Sequence, residues 1–171
     1  MEVKVKMATL SRVKIVRVTK ALAAAGAYAA GDVLSENATT GTSWTFSGCA
    51  RDNGRGGRIV NSYVQSETTN LTPRLVLYLF NATPTSALND NVANTAIIHA
   101  DLTKKVATIA FGAMSENGGD SEAYVSPVEL MPKTFICAAT DTSLYGVLVT
   151  LDAVTQTATD DMTVVLEIEQ E

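Results

Sequence analysis

Histidine is almost missing from this chain: His99 is the only one in 171 residues, and two cysteines, Cys49 and Cys137, accompany it. A zinc site needs several such ligands at short, characteristic spacings, and none occurs here. A Ser-His-Asp triad would have to use His99, yet no G-x-S-x-G turn offers a nucleophile. A lone histidine beside Ile97 and Ile98 reads as structural. The cysteines lie far apart, each among apolar neighbours ("FSGCA", "FICAA"), which predicts buried, reduced thiols. Aromatics are scarce at 6%, with Trp44 the single tryptophan, which argues against a sugar-stacking groove. No apolar run approaches the roughly 20 residues of a membrane helix. The stretch Arg17–Asp32 imitates a secretion signal, with Ala27-Tyr28-Ala29 as a mock cleavage site. Its apolar part is mostly Ala and Gly, however, and export is not expected.

Charge is also thin. Charged residues make up 18% of the chain, below the usual quarter, so much of the surface must be neutral Thr, Ser, Asn and Ala. Such surfaces are common in proteins packed against partners and in plain β-domains. The net charge of −5 is unevenly spread, because Lys4, Lys6, Arg12, Lys14, Arg17 and Lys20 open the chain against Glu2 alone. This basic region suits either a solvated strand face or contact with an acidic partner. Acidic turns at "NDN", "ENGGD" and "TDD" match no calcium-loop spacing and are explained by Asx turn chemistry. No cofactor or metal is expected.

What is present is period-two patterning. In "EVKVKM" Val3, Val5 and Met7 oppose Lys4 and Lys6; in "RVKIVRV" Val13 and Ile15 read as inward, with a change of phase at Val16 and Val18 that predicts a β-bulge. "SWTFSGCA" puts Trp44, Phe46 and Gly48 on one face. "RLVLYLF" is apolar throughout Leu75–Phe80, the pattern of a strand buried on both faces in mid-sheet. Further strands are predicted over 59–66, 105–112, 122–126, 133–139, 143–150 and 162–169, separated by turn clusters. Helical period is confined to Ala21–Ala25 and the region around 90–98. The pattern predicts an all-β fold, an antiparallel sandwich or barrel, with short helical turns in connections. Residues 1–20 form a basic amino-terminal region packed on or extending from the domain, and 21–171 form a single domain.

"RDNGRGGRIV" could be a phosphate cradle or a turn. A cradle needs a helix after the glycines, but Ile59–Ser66 has strand period. Asn53-Gly54 suits positive φ, so the stretch is predicted to be a hairpin joining Trp44–Ala50 to Ile59–Ser66. Arg51, Arg55 and Arg58 at an exposed tip would be available to a partner.

The segments "AGAYAAGDVL" (25–34), "GGRIVNSYV" (56–64), "LVLYLFNATPTSALNDNVA" (75–93) and "SLYGVLVT" (143–150), in that order, resemble virion structural proteins of tailed bacteriophages, of the capsid decoration or cement (head auxiliary) type. The resemblance implies a jelly-roll-like sandwich on the outer capsid surface, made in the host cytoplasm. It implies a homo-oligomer, expected to be a trimer, that binds the major capsid protein and bridges capsomers without enzymatic activity. Neither membrane nor direct nucleic-acid contact is expected. Contacts are expected at Lys4, Lys6, Arg12, Lys14, Arg17, Arg51, Arg55 and Arg58. A head-fibre or tail-associated module binding host glycans is the alternative.

Overall fold

The structure, a computed structural model, describes residues 12–24 and 26–171. The expected pairing of Glu2–Met7, with Lys4 and Lys6, lies outside the described residues. Among the described residues, ten strands form two antiparallel sheets: β1 (Arg12–Ala21), β2 (Trp44–Phe46), β3 (Gly56–Ser66), β4 (Arg74–Phe80), β5 (Lys105–Ala113), β6 (Ser115–Asn117), β7 (Asp120–Tyr124), β8 (Lys133–Ile136), β9 (Leu144–Thr150) and β10 (Asp161–Gln170). The first sheet runs β1-β10-β3-β7-β6, with β8 taking the other half of β3's flank; the second runs β2-β9-β4-β5. Both are antiparallel, and the chain is an all-β sandwich.

Alternation decides which side chains meet between the sheets. Val16 and Val18 of β1 pair with Leu166 and Val164 of β10, and all four join the core cluster. Leu75, Leu77 and Leu79 of β4 enter the same cluster with Trp44, Phe46, Ile109 and Leu148. Each fully buried side chain of this size contributes about 2 kcal/mol by leaving water. The Trp44 indole N–H donates to the Leu34 carbonyl at 3.0 Å, so its one polar atom is satisfied in the core. Gly146 of β9 lies against Leu77 and Trp44, where an added Cβ would come within 2.9 Å of Leu77 Cδ1.

The fully apolar β4 has a second reason. Its other face, Val76 and Phe80, packs with Val33, Val147 and Val149 in a smaller cluster that Leu88, Ala96 and Ile97 help cover. The outer face of the second sheet is therefore roofed by loop residues, where helices would usually serve.

Four expectations need correcting. Val13 and Ile15 point outward, exposed by 59% and 46%, while Val16 and Val18 face in. Their register with β10 is unbroken from Arg12↔Gln170 to Ala21↔Asp161, so β1 has no bulge. The irregularity falls between β10 and β3, where Glu167 pairs Asn61 but Ile168 pairs Ile59. Residues 47–55 are not a hairpin, because β2 and β3 belong to different sheets and the segment crosses between them. Asn53-Gly54 still makes a turn, with Gly54 at φ +71, held by Gly54 N–H to Asp141 O at 3.1 Å. Neither Ala21–Ala25 nor 90–98 forms a helix among the described residues; one short 3-10 turn, His99–Asp101, follows the second stretch.

Candidate functional site

A reactive centre announces itself by ionisable groups held ready in a cleft. In this fold the buried ionisable groups are engaged in holding loops. Asp101 is fully buried and accepts from the Thr85 N–H at 2.9 Å, the Thr85 hydroxyl at 3.0 Å, the Ser86 N–H and hydroxyl at 2.9 Å each, and Lys104 Nζ at 3.1 Å. Burial alone would raise its pKa, but these donors outweigh that and hold the carboxyl below the ordinary carboxylate range. Asp90, also buried, accepts from the Tyr28 hydroxyl at 2.9 Å and the Ser35 N–H at 2.8 Å. Burial, then this bond, pushes the Tyr28 hydroxyl well above its usual pKa.

Tyr28, Asp32, Thr85, Ser86 and Asp90 are among the polar members of the "AGAYAAGDVL" and "NATPTSALNDNVA" segments. Asp32 closes its own turn by accepting the Ala29 N–H at 2.7 Å. These segments form the roof over the second sheet, so their polar pattern serves architecture.

Glu36 receives bonds from Lys20, from the Thr42 N–H at 2.8 Å and hydroxyl at 2.6 Å, and from the Ser35 hydroxyl at 2.8 Å. Burial opposes its ionisation, but the Lys20 and Thr42 contacts bring the carboxyl down to about 2. Burial works on the other partner too, keeping the Lys20 ammonium below its usual value despite Glu36. Lys20 also lies over the Trp44 ring, 5.4 Å from its centroid. Cys49 and Cys137 are buried and reduced, as expected. Burial first, then the neighbouring Cys137, pushes the Cys49 thiol up to about 12, and burial lifts Cys137 to about 11. His99 is exposed, and its carbonyl accepts the Leu102 N–H at 3.3 Å in the short turn. Among the described residues no group of three or more His, Cys, Asp or Glu is placed to hold a metal.

The predicted cations separate into three situations. Lys14 turns toward the core side and donates to Gly48 O at 2.7 Å. Arg58, on β3, forms an ion pair with Glu169 at 2.7 Å. Arg12, Arg17, Arg51 and Arg55 are exposed. The register Arg12↔Gln170↔Gly57 brings the start of β1 level with the start of β3. Arg12 therefore shares one end of the sandwich with the 51–55 crossover, and Arg17 stands farther along β1. Arg51 and Arg55 line a depression of about 410 Å³ together with the acids Asp52 and Glu171 and with Phe135 and Ile136. A second, of about 420 Å³, shares Phe135, Ile136 and Glu171 with it and is also lined by Val106 and Asn81.

A different feature escaped the sequence reading. In the connection from β7 to β8, Glu129 turns inward, accepting the Ala110 N–H at 3.0 Å and Lys133 Nζ at 2.5 Å. Ser126 N–H to Ala110 O at 2.8 Å fixes the same loop to β5. Val128 and Leu130, on either side of Glu129, are consequently turned out, exposed by 87% and 81%. An acid inside and two aliphatics outside is the reverse of what solvent favours. The run "SPVELMPK", with apolar residues flanking one acid between two prolines, was the available clue. No family model matches the chain, and comparison with curated proteins and with solved structures found no match.

Proposed function

We propose that this protein is a structural subunit of a bacteriophage virion, a capsid decoration or cement protein that docks on the outer head as a homo-oligomer and bridges capsomers. The observation that carries the reading is the distribution of chemistry. Buried carboxylates are engaged by loop donors, while large aliphatics and arginines stand on the outside of a braced sandwich. A cement subunit has no transition state to stabilise. It needs stiffness and modest contacts that multiply when several are linked.

The winding of the chain supports the same reading. β4 pairs with β5, β3 with β7 and β8, β2 with β9, and β1 with β10, so the pairs nest around the β4–β5 connection. Nested pairing split over two sheets is what rolling up one long antiparallel ribbon produces, the jelly-roll arrangement the resemblance implies.

The end that carries Arg12, Arg51 and Arg55, with Asp52 and Glu171 beside the last two, is assigned to the capsid, and Lys4 and Lys6 precede Arg12 in sequence; its exposed arginines are set against an acidic coat surface. Binding of the purified protein to phage heads stripped of it tests this. Saturable binding that weakens from 0.15 M to 1 M salt is expected, because the screening length falls from about 8 Å to about 3 Å. Arg12→Glu with Arg55→Glu, or removal of residues 1–10, should weaken binding while leaving a folded domain. Failure to bind any such head, with binding of host glycans in its place, would replace this reading by the receptor module.

A further inference from the structure

The chain contains the pairs Asn53-Gly54 and Asn117-Gly118, and the fold treats them differently. An Asn-Gly pair carries its own chemistry. The glycine nitrogen, on giving up its proton to solvent, attacks the side-chain carbonyl carbon of the asparagine, an approach that the missing Cβ leaves open. The new C–N bond closes a five-membered succinimide, and the side-chain nitrogen leaves as ammonia. Water then opens either carbonyl of the ring, giving aspartate or isoaspartate. In a folded chain the step is governed by how freely the peptide between the two residues can rotate.

At Asn53 that peptide is held. The Gly54 N–H donates to Asp141 O at 3.1 Å, and the Arg55 N–H to Asp52 O at 3.1 Å. Gly54 also lies against the following segment of chain, where an added Cβ would come within 3.2 Å of Ala139 Cα. Attack there would have to break the first bond and lift the crossover off its support.

At Asn117 the surroundings are open. Gly118 and Gly119 alone join β6 to β7, and no atom beyond their chain neighbours would lie within 4 Å of a Cβ on either. Among the described residues the Gly118 N–H donates to no backbone carbonyl. All three residues of β6 are exposed, and β7 is the one strand they pair with. A tip of this kind opens well below the free energy of global unfolding.

The reaction would also change what holds the tip together. The Asn117 side-chain nitrogen, the leaving group, donates to Glu122 Oε1 at 3.0 Å across the hairpin. The hairpin already carries Glu116, Asp120 and Glu122. A carboxylate at position 117 turns the contact with Glu122 from attraction to repulsion. Isoaspartate further lengthens the backbone by one carbon where Asn117 pairs Asp120.

We infer that Asn117 is a modification site, which deamidates spontaneously in the folded protein ahead of Asn53, and that the charge gained loosens β6 from β7. The reaction needs neither a capsid nor a second copy, only water.

The test is incubation of the full chain, native and in denaturant, followed by peptide mapping in a mass spectrometer. In the native protein Asn117 should convert more than about tenfold faster than Asn53, and in denaturant the two should convert at similar rates. Native conversion should be faster in mildly alkaline than in mildly acidic buffer. Asn117→Gln, whose longer side chain would have to close a six-membered ring, should remove the acidic product; Asn53→Gln should not. Asn117→Asp should speed hydrogen exchange across residues 115–124 while leaving the melting temperature of the sandwich unchanged. Native conversion at Asn53 first, equal rates at both, or an Asn117 that stays intact while the denatured chain reacts would each overturn the site. Unchanged exchange in Asn117→Asp would overturn the loosening of β6.

Discussion

Asp101 lies near the end of the long connection from β4 to β5, in its short 3-10 turn, and its charge anchors that connection. Its donors come from Thr85, Ser86 and Lys104, so one carboxylate ties the beginning of that connection to its end. Asp101→Asn keeps the shape but turns an amide toward donors, and should cost about 3 kcal/mol in chemical denaturation. The pH dependence has a definite sign. A carboxyl whose pKa is lower folded than unfolded stabilises the fold above the unfolded value, and this is lost as pH falls toward the folded one. For Glu36 that window runs from about 4.5 down to about 2, and Asp101 acts in the same direction. Melting temperature should therefore fall steeply through this range, and Asp101→Asn should melt lower at neutral pH with a shallower acid slope. A thiol reagent at pH 8 should find Cys49 and Cys137 unreactive in the native protein and fully reactive in denaturant, since burial holds both thiols protonated. At this scale the buried thiols were readable from apolar neighbours. Asp90 and Asp101 were not, because a carboxylate that satisfies its own turn and one that anchors a distant loop look alike in sequence.

At the scale of the element, patterning worked where one face is apolar and the other is not. β4 announced itself as a central strand because both its faces are apolar, and the structure places it between β9 and β5. Leu77→Ala there should cost about 3 kcal/mol or more, since Leu77 is fully buried and the cavity can relax only in part. Val128→Asp, in the inverted loop, should change stability by no more than about 0.5 kcal/mol in the same denaturation experiment. The orientation of β1 was not legible, because Val13 and Ile15 on one face compete with Val16 and Val18 on the other. Pairing with Val164 and Leu166, already committed to the core, decides the matter. The Asn53-Gly54 turn was legible as a turn. Which sheet the following strand would join was not, since turn chemistry fixes local φ and ψ and says nothing about partners as distant in sequence as β10.

For the whole molecule, the all-β class followed from many short alternating runs with turns between them, while the edges had to be seen folded. An apolar residue on a strand's open face and one in the core look alike in sequence, and only the folded chain tells that Ile15 and Leu130 are exposed while Val16 is buried. The molecule is a braced sandwich, and under the proposed function its outer surface makes the contacts with the head. The most direct measurement is the amount of this protein in purified phage heads, counted by quantitative mass spectrometry against the coat protein. A fixed ratio to coat protein, the same from one preparation to the next and lowered by washing in 1 M salt, is the predicted result. Heads that are complete and free of the protein would contradict it.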